Sequence, residues 1–81
     1  MMNKTYYFLT RQRKDSEQLE FANYNDYSNT LSWQIHQDYS TRFDELEQLE
    51  QLKDIAEQLN RFDGEKYTIK IVKLTETMEE V

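Results

Sequence analysis

The sequence has no cysteine, no proline and a single glycine, and each shortage excludes a class of structure. Without cysteine there is no disulfide framework, no thiolate nucleophile and no cysteine-based zinc site. With Gly64 as the only glycine, a glycine-rich phosphate-binding loop cannot form. No apolar run is long enough for a membrane span or a signal peptide, so we expect a cytoplasmic protein without a membrane partner.

Residues with catalytic or metal-binding chemistry are also scarce. His36 is the only histidine, and Asp38 follows two residues later on the same side of a predicted strand. One histidine cannot supply the three or four ligands of a zinc site, and no serine lies in a GxSxG nucleophile motif. We therefore predict no catalytic residue, no metal and no cofactor, and interpret the chain as a non-enzymatic protein.

Negative charge is what the chain has in excess, and it is concentrated in one segment. The net charge is −6, and residues 44–65 account for all of it, with eight acids against Lys53 and Arg61. An acidic balance disfavours direct binding to nucleic acid, whose phosphates attract lysine and arginine. The alternative is a stacking platform for single-stranded nucleic acid. It would combine the bases Arg11, Arg13 and Lys14 with the aromatic residues Tyr6, Tyr7 and Phe8.

Residues 44–62 are predicted to form an amphipathic helix that ends at Phe62. Asp44 with Glu47 has the spacing of a capping box, and Thr41 with Asp44 is an alternative start. Gly64 stands where a chain leaving a helix needs a left-handed residue. Six apolar residues are predicted to share the buried arc of the helix. They are Leu49, Leu52, Ile55, Ala56, Leu59 and Phe62.

The opposite face of this helix carries Glu47, Glu50, Asp54 and Glu57. One interpretation is a solvated face that keeps a small domain soluble. However, like charges three and four residues apart repel, and a face selected for solubility alone would interleave signs. The second interpretation is a docking surface for a basic partner protein, such as one that binds nucleic acid. On this interpretation these four carboxylates are the partner-binding residues.

Around the helix, alternating and aromatic residues predict four strands. The first three are expected at residues 4–11, 19–24 and 30–39, and the last at 67–74, with a turn at 25–29. A bulge or a second covered patch is expected at Val72. The order β-β-β-α-β predicts an α+β fold, in which one helix covers one face of an antiparallel or mixed four-stranded sheet. Residues 1–81 are expected to form one domain, with 75–81 as a frayed acidic tail.

One helix cannot cover both faces of such a sheet. Tyr7, Leu9, Val72 and Leu74 are the residues predicted to form an apolar patch on the uncovered face. An exposed apolar patch of this kind is typical of a homodimer or of a partner-binding surface. The alternative function is therefore a structural or assembly subunit that homodimerises through this face.

A structural motif spans residues 43–74: F-D-x-x-E-x-L-x-x-L at the start of the helix, followed by a Y-x-I-K strand. The residues that match are Phe43, Asp44, Glu47, Leu49, Leu52, Tyr67, Ile69 and Lys70. In this motif the chain resembles small accessory proteins of phages and prophages. The resemblance implies a protein-interaction module of the class that includes acidic anti-CRISPR and anti-restriction inhibitors. No residue here is diagnostic of one inhibitor, so the target stays open.

Overall fold

The computed structural model describes the backbone of residues 2–78 and the side chains of residues 3–76. Its strands are β1 (Met2–Arg13), β2 (Leu19–Asn25), β3 (Thr30–Gln34) and β4 (Tyr67–Met78), and its helix is α1 (Leu46–Phe62). A 3₁₀ helix covers Gln37–Tyr39. The sheet order is β3-β2-β1-β4, and every neighbouring pair is antiparallel. The predicted α+β fold of order β-β-β-α-β is confirmed, with an antiparallel sheet.

The central strand β1 pairs with β4 over twelve residues, from Met2 opposite Met78 to Arg13 opposite Tyr67. The register is one to one throughout, so of the two alternatives expected at Val72 the bulge is wrong. Residues 75–78 continue the strand, which corrects the first part of the predicted frayed tail. Residues 79–81 of that tail lie outside the described part of the chain.

The third strand is shorter than predicted because the chain bends after Gln34. Residues 35–40 form a bend and the 3₁₀ helix, and Asn23 Nδ2 donates a hydrogen bond to Tyr39 O at 2.6 Å. The chain then inserts between β1 and β2 where these two strands separate. Thr41 N donates to Ala22 O at 3.0 Å, and Tyr7 and Phe43 exchange two backbone hydrogen bonds of 2.9 and 3.0 Å.

This insertion also delays the start of α1. Phe43 is held in an extended bridge to Tyr7, so the helix begins at Leu46, two residues later than predicted. Glu45 occupies the N-cap position and no side chain caps the helix, so the predicted Asp44 cap is wrong. The predicted end at Phe62 is confirmed. Gly64 has a φ of +88°, the left-handed conformation expected of the residue that ends a helix.

The core lies between α1 and one face of the sheet. Leu49, Leu52 and Ala56 from the helix pack with Leu9 and Ile69 from the sheet. The helix makes its close approaches over β1 and β4. The helix-side face of the sheet therefore has a covered half, formed by β1 and β4, and an open half, formed by β2 and β3.

Candidate functional site

The four predicted partner-binding residues form an acidic stripe, Glu47, Glu50, Asp54 and Glu57, on the side of α1 away from the core. Glu57 is half-buried and the other three side chains are exposed. The ion pairs within the described residues join Arg11 to Glu20, Arg13 to Asp15 and Arg42 to Glu76. None of these pairs uses a carboxylate of the acidic stripe.

The predicted apolar arc of α1 is split by the structure. Leu49, Leu52 and Ala56 are buried, as predicted, but Ile55, Leu59 and Phe62 are 53%, 56% and 90% exposed. The reason is the position of the helix over the covered half of the sheet, which leaves the flank above β2 and β3 without a partner. At about 100° per residue, the centre of this apolar flank lies roughly 85° around the helix from the buried arc and roughly 125° from the acidic stripe.

Between this flank and the edge strand lies a groove, which we call the α1–β3 groove. Its wall consists of Ile55 and Leu59 from the helix, and its floor of Tyr24, Leu31 and Trp33 from the open half of the sheet. The three floor side chains are only half-buried, although they pack against the edge of the core. The groove is therefore apolar on both sides and open above.

Two hollows lie along the groove. The first, of about 170 Å³, is lined by Tyr24, Phe43, Gln48, Gln51, Leu52 and Ile55. The second, of about 140 Å³, reaches from Leu31 and Trp33 to Asp63 at the far end of the helix. The groove thus follows α1 from Gln48 to Asp63, roughly 22 Å at 1.5 Å per residue.

Arg11 closes the floor of the second hollow. Its Cζ atom lies 4.5 Å from the centre of the Trp33 ring and 4.1 Å from that of Tyr67. Its Nε and Nη2 atoms donate to the two carboxylate oxygens of Glu20, each at 3.2 Å. This bidentate pairing orients the guanidinium between the two rings and leaves its charge neutralised within the chain.

Asn60 attaches the end of α1 to β4 beside the same hollow. Its side-chain Nδ2 donates to Tyr67 O at 2.8 Å, and Tyr67 N donates to its Oδ1 at 3.1 Å. Because both atoms of the amide are used, the distance between helix and strand is set at this end. The wall of the groove therefore belongs to a segment of the helix that is hydrogen-bonded to β4, in the covered half of the sheet.

The predicted sheet-face patch is wrong as a group of four. Tyr7 and Leu9 lie on the helix side, and Leu9 is 0% exposed within the core. Val72 and Leu74 lie on the opposite face, where they are paired in register with Phe8 and Tyr6. The alternation along β1 does not distinguish its two faces, because both of them are apolar.

Arg42 covers part of that opposite face. Its Cζ atom lies 5.2 Å from the Tyr6 ring and 6.0 Å from the Phe8 ring, and its Nη1 atom donates to Glu76 Oε1 at 3.4 Å. Phe8 is consequently only 2% exposed. Val72, at 40% exposure, and Leu19, at 37%, are large apolar residues of this face that are exposed among the described side chains. Of the four residues predicted for a homodimer surface, Val72 and Leu74 therefore lie on this face, and Tyr7 and Leu9 do not.

The aromatic and basic residues of β1 do not assemble into a stacking platform. Tyr7 belongs to the helix-side packing, and Phe8 is buried. Arg11 is bound to Glu20, and Arg13 Nε lies 2.8 Å from Asp15 Oδ1. Most of the bases and rings needed to hold single-stranded nucleic acid are therefore engaged within the protein, and Lys14 is the base of this set that lies exposed outside the described ion pairs.

His36 is exposed, and its ring lies edge-on to Tyr39 with the ring centres 6.1 Å apart. Across residues 2–78, no three histidine, aspartate or glutamate side chains are grouped as a metal site would require. Within the same residues, no helix has both the length and the apolar character needed to cross a bilayer.

The groove was missed at the sequence level, although a signal for it was present. A single helix is about 10–12 Å wide, whereas four strands about 4.8 Å apart span nearly twice that width. One helix on a four-stranded sheet therefore leaves about two strands uncovered.

Comparison of the chain with models of protein families, with curated proteins and with solved structures finds no match.

Proposed function

We propose that this chain is a non-enzymatic protein-interaction module that binds a basic partner protein through the acidic stripe of α1. The observation that carries the proposal is the set of four carboxylates on one side of α1, none of which has an ion-pair partner among the described residues. Like charges spaced three and four apart cost the isolated helix stability. A basic partner would turn this repulsion into attraction.

The distribution of charge supports this proposal more strongly than the total does. Residues 1–43 carry five acids and five bases, so the field of the chain originates at the helix. A concentrated field of one sign steers a partner of opposite charge and selects against acidic competitors. The specific form of the proposal is an inhibitor that occupies the basic surface of a nucleic-acid-handling protein, a role found in the class of phage accessory proteins that the chain resembles.

The test is affinity capture from a bacterial lysate with three versions of the protein. The first is the wild type, and the second has Glu47→Gln, Glu50→Gln, Asp54→Asn and Glu57→Gln. The third is a matched control with Glu17→Gln, Asp26→Asn, Asp38→Asn and Glu65→Gln. Both variants change the net charge from −6 to −2, so they differ only in which acids are removed.

A partner retained by the wild type and the control, but lost by the stripe variant and lost as salt rises, supports the proposal. Its identity as a basic nucleic-acid-binding protein would support the inhibitor form. Equal loss in both variants would show that net charge alone matters. Equal capture by all three versions would contradict the role of the acidic stripe.

A further inference from the structure

The α1–β3 groove is a second surface of the helix, and it differs from the acidic stripe in chemistry and position. Its wall and floor are mainly apolar, and Ile55, Leu59 and Phe62 are exposed beside one another on the flank of α1, where a contiguous apolar patch is typical of an interaction surface. We infer that the groove binds one amphipathic α-helix of a partner protein, with its apolar side in the groove and a basic outer side. This inference rests on the proposed function, since it specifies how a basic partner would dock.

The dimensions of the groove favour a helix over other occupants. Its floor is two strands wide, close to 10 Å, which is the usual distance between the axes of two packed helices. Ile55, Leu59 and Phe62 follow each other at spacings of four and three residues, so they form a ridge along α1. A helix lying beside α1 would pack against this ridge and place its apolar side chains over Leu31 and Trp33.

The charges around the groove favour a basic occupant. Among the described residues that line the two hollows, Arg11 is the one base and Asp63 the one acid. Because Glu20 neutralises Arg11, the lining carries the uncompensated charge of Asp63. The rest of the helix adds the field of the acidic stripe. An acidic amphipathic helix, or a second copy of this chain with its own −6, would meet repulsion here.

The probe is a synthetic peptide of leucine, alanine and lysine, about 15 residues long to match the groove at 1.5 Å per residue. Its leucines form one stripe along a helix, and its lysines occupy the other side. A scrambled peptide of the same composition has the same charge but no apolar stripe. Trp33 is the only tryptophan and lies on the groove floor, so its fluorescence reports occupancy directly.

The variants use two leucines of the same helix. Leu59→Gln removes an apolar side chain from the groove wall, and Leu46→Gln removes one that is 40% exposed elsewhere on α1 and lines neither hollow. We expect Leu59→Gln to weaken binding of the striped peptide at least about tenfold, as loss of a central apolar contact does, and Leu46→Gln to leave it unchanged. Bound peptide should gain helical circular dichroism.

Several results would overturn this inference and leave the proposed function standing. One is equal binding of the striped and the scrambled peptide. A second is peptide binding that the acidic-stripe variant abolishes and Leu59→Gln does not. A third is binding without a gain of helicity, which indicates that the peptide adds to β3 as a strand. Failure of the striped peptide to change Trp33 fluorescence would also overturn it. So would a dimer in sedimentation that Leu59→Gln dissociates, since a second copy would then fill the groove. The lysate capture tests the proposed function separately.

Discussion

The two halves of the helix-side sheet face are built from similar residues but differ in how deeply these residues are buried. In the covered half, Leu9 and Ile69 are buried beneath Leu49 and Ala56. In the open half, Leu31 and Trp33 are equally apolar, yet they stay half-buried because no helix lies above them. The comparison shows that the apolar residues that stabilise the fold and those available to a partner lie on different strands of the same sheet face. The covered half holds the fold together, and the open half retains apolar surface that a partner can use.

The sharpest test of this division compares two leucines of α1. Leu49→Ala empties a site that is 0% exposed and should lower the free energy of unfolding by about 2–5 kcal/mol. Leu59→Ala changes a side chain that is 56% exposed and should cost less than about 1 kcal/mol. Urea denaturation followed by circular dichroism measures both. Similar losses at the two positions would show that the groove wall is part of the core.

A second test concerns the residue that joins the two halves. Arg11 on β1 contacts Trp33 from the open half and Tyr67 from the covered half. Arg11→Lys keeps the charge but loses the planar fork and the double stacking, so we expect a loss of about 1–2 kcal/mol in unfolding free energy and a shift of Trp33 emission.

The matched control for Arg11→Lys is Arg13→Lys on the same strand. Arg13 pairs with Asp15 at a site where both side chains are more than half exposed, so this change should be neutral. Unfolding by urea and tryptophan fluorescence measure both variants. An Arg11→Lys protein as stable as the wild type, with unchanged emission, would mean that the two halves are not coupled through this side chain.

The smallest expected effect lies on the acidic stripe. Glu50 has two like charges, Glu47 and Asp54, and one opposite charge, Lys53, at spacings of three or four residues. Repulsion therefore exceeds attraction by about one pair, and Glu50→Gln should raise stability by about 0.2–0.5 kcal/mol at low salt. Glu57 instead has two opposite charges, Lys53 and Arg61, four residues away and one like charge, Asp54, three residues before it, so Glu57→Gln should lower stability slightly. Thermal unfolding at low and high salt measures the two signs, and both effects should disappear as salt is raised. A change of stability in the same direction for both variants would contradict the argument from charge spacing.

Much of this fold could be predicted because periodicity and turn residues are local signals. The order of the elements, the end of α1 at Phe62 and the left-handed Gly64 all followed from short-range patterns. The start of α1 could not be predicted, since it depends on the bridge between Phe43 and Tyr7, which are distant in sequence. Tertiary pairing overrode the capping pattern at Asp44.

The candidate site was less accessible to prediction than the fold. The exposure of Glu47, Glu50 and Asp54 was expected. The exposure of Ile55 and Leu59 was not, because the amphipathic pattern predicts the apolar arc of the helix but not the width of the sheet beneath it. The faces of β1 were also ambiguous. Four consecutive apolar residues, Tyr6, Tyr7, Phe8 and Leu9, point alternately to the two faces of β1. Only the position of the helix shows which of these faces it covers.

The long pairing of β1 with β4 has a consequence for how the chain folds. These strands are separated by residues 14–66, yet their ladder runs over twelve residues, and β4 also anchors the end of α1. Native contacts are therefore dominated by pairs that are far apart in sequence, and closing such a loop slows folding. During synthesis β1 must wait for β4 to emerge, so the edge of the central strand that pairs with β4 stays without its hydrogen-bond partner until β4 is made.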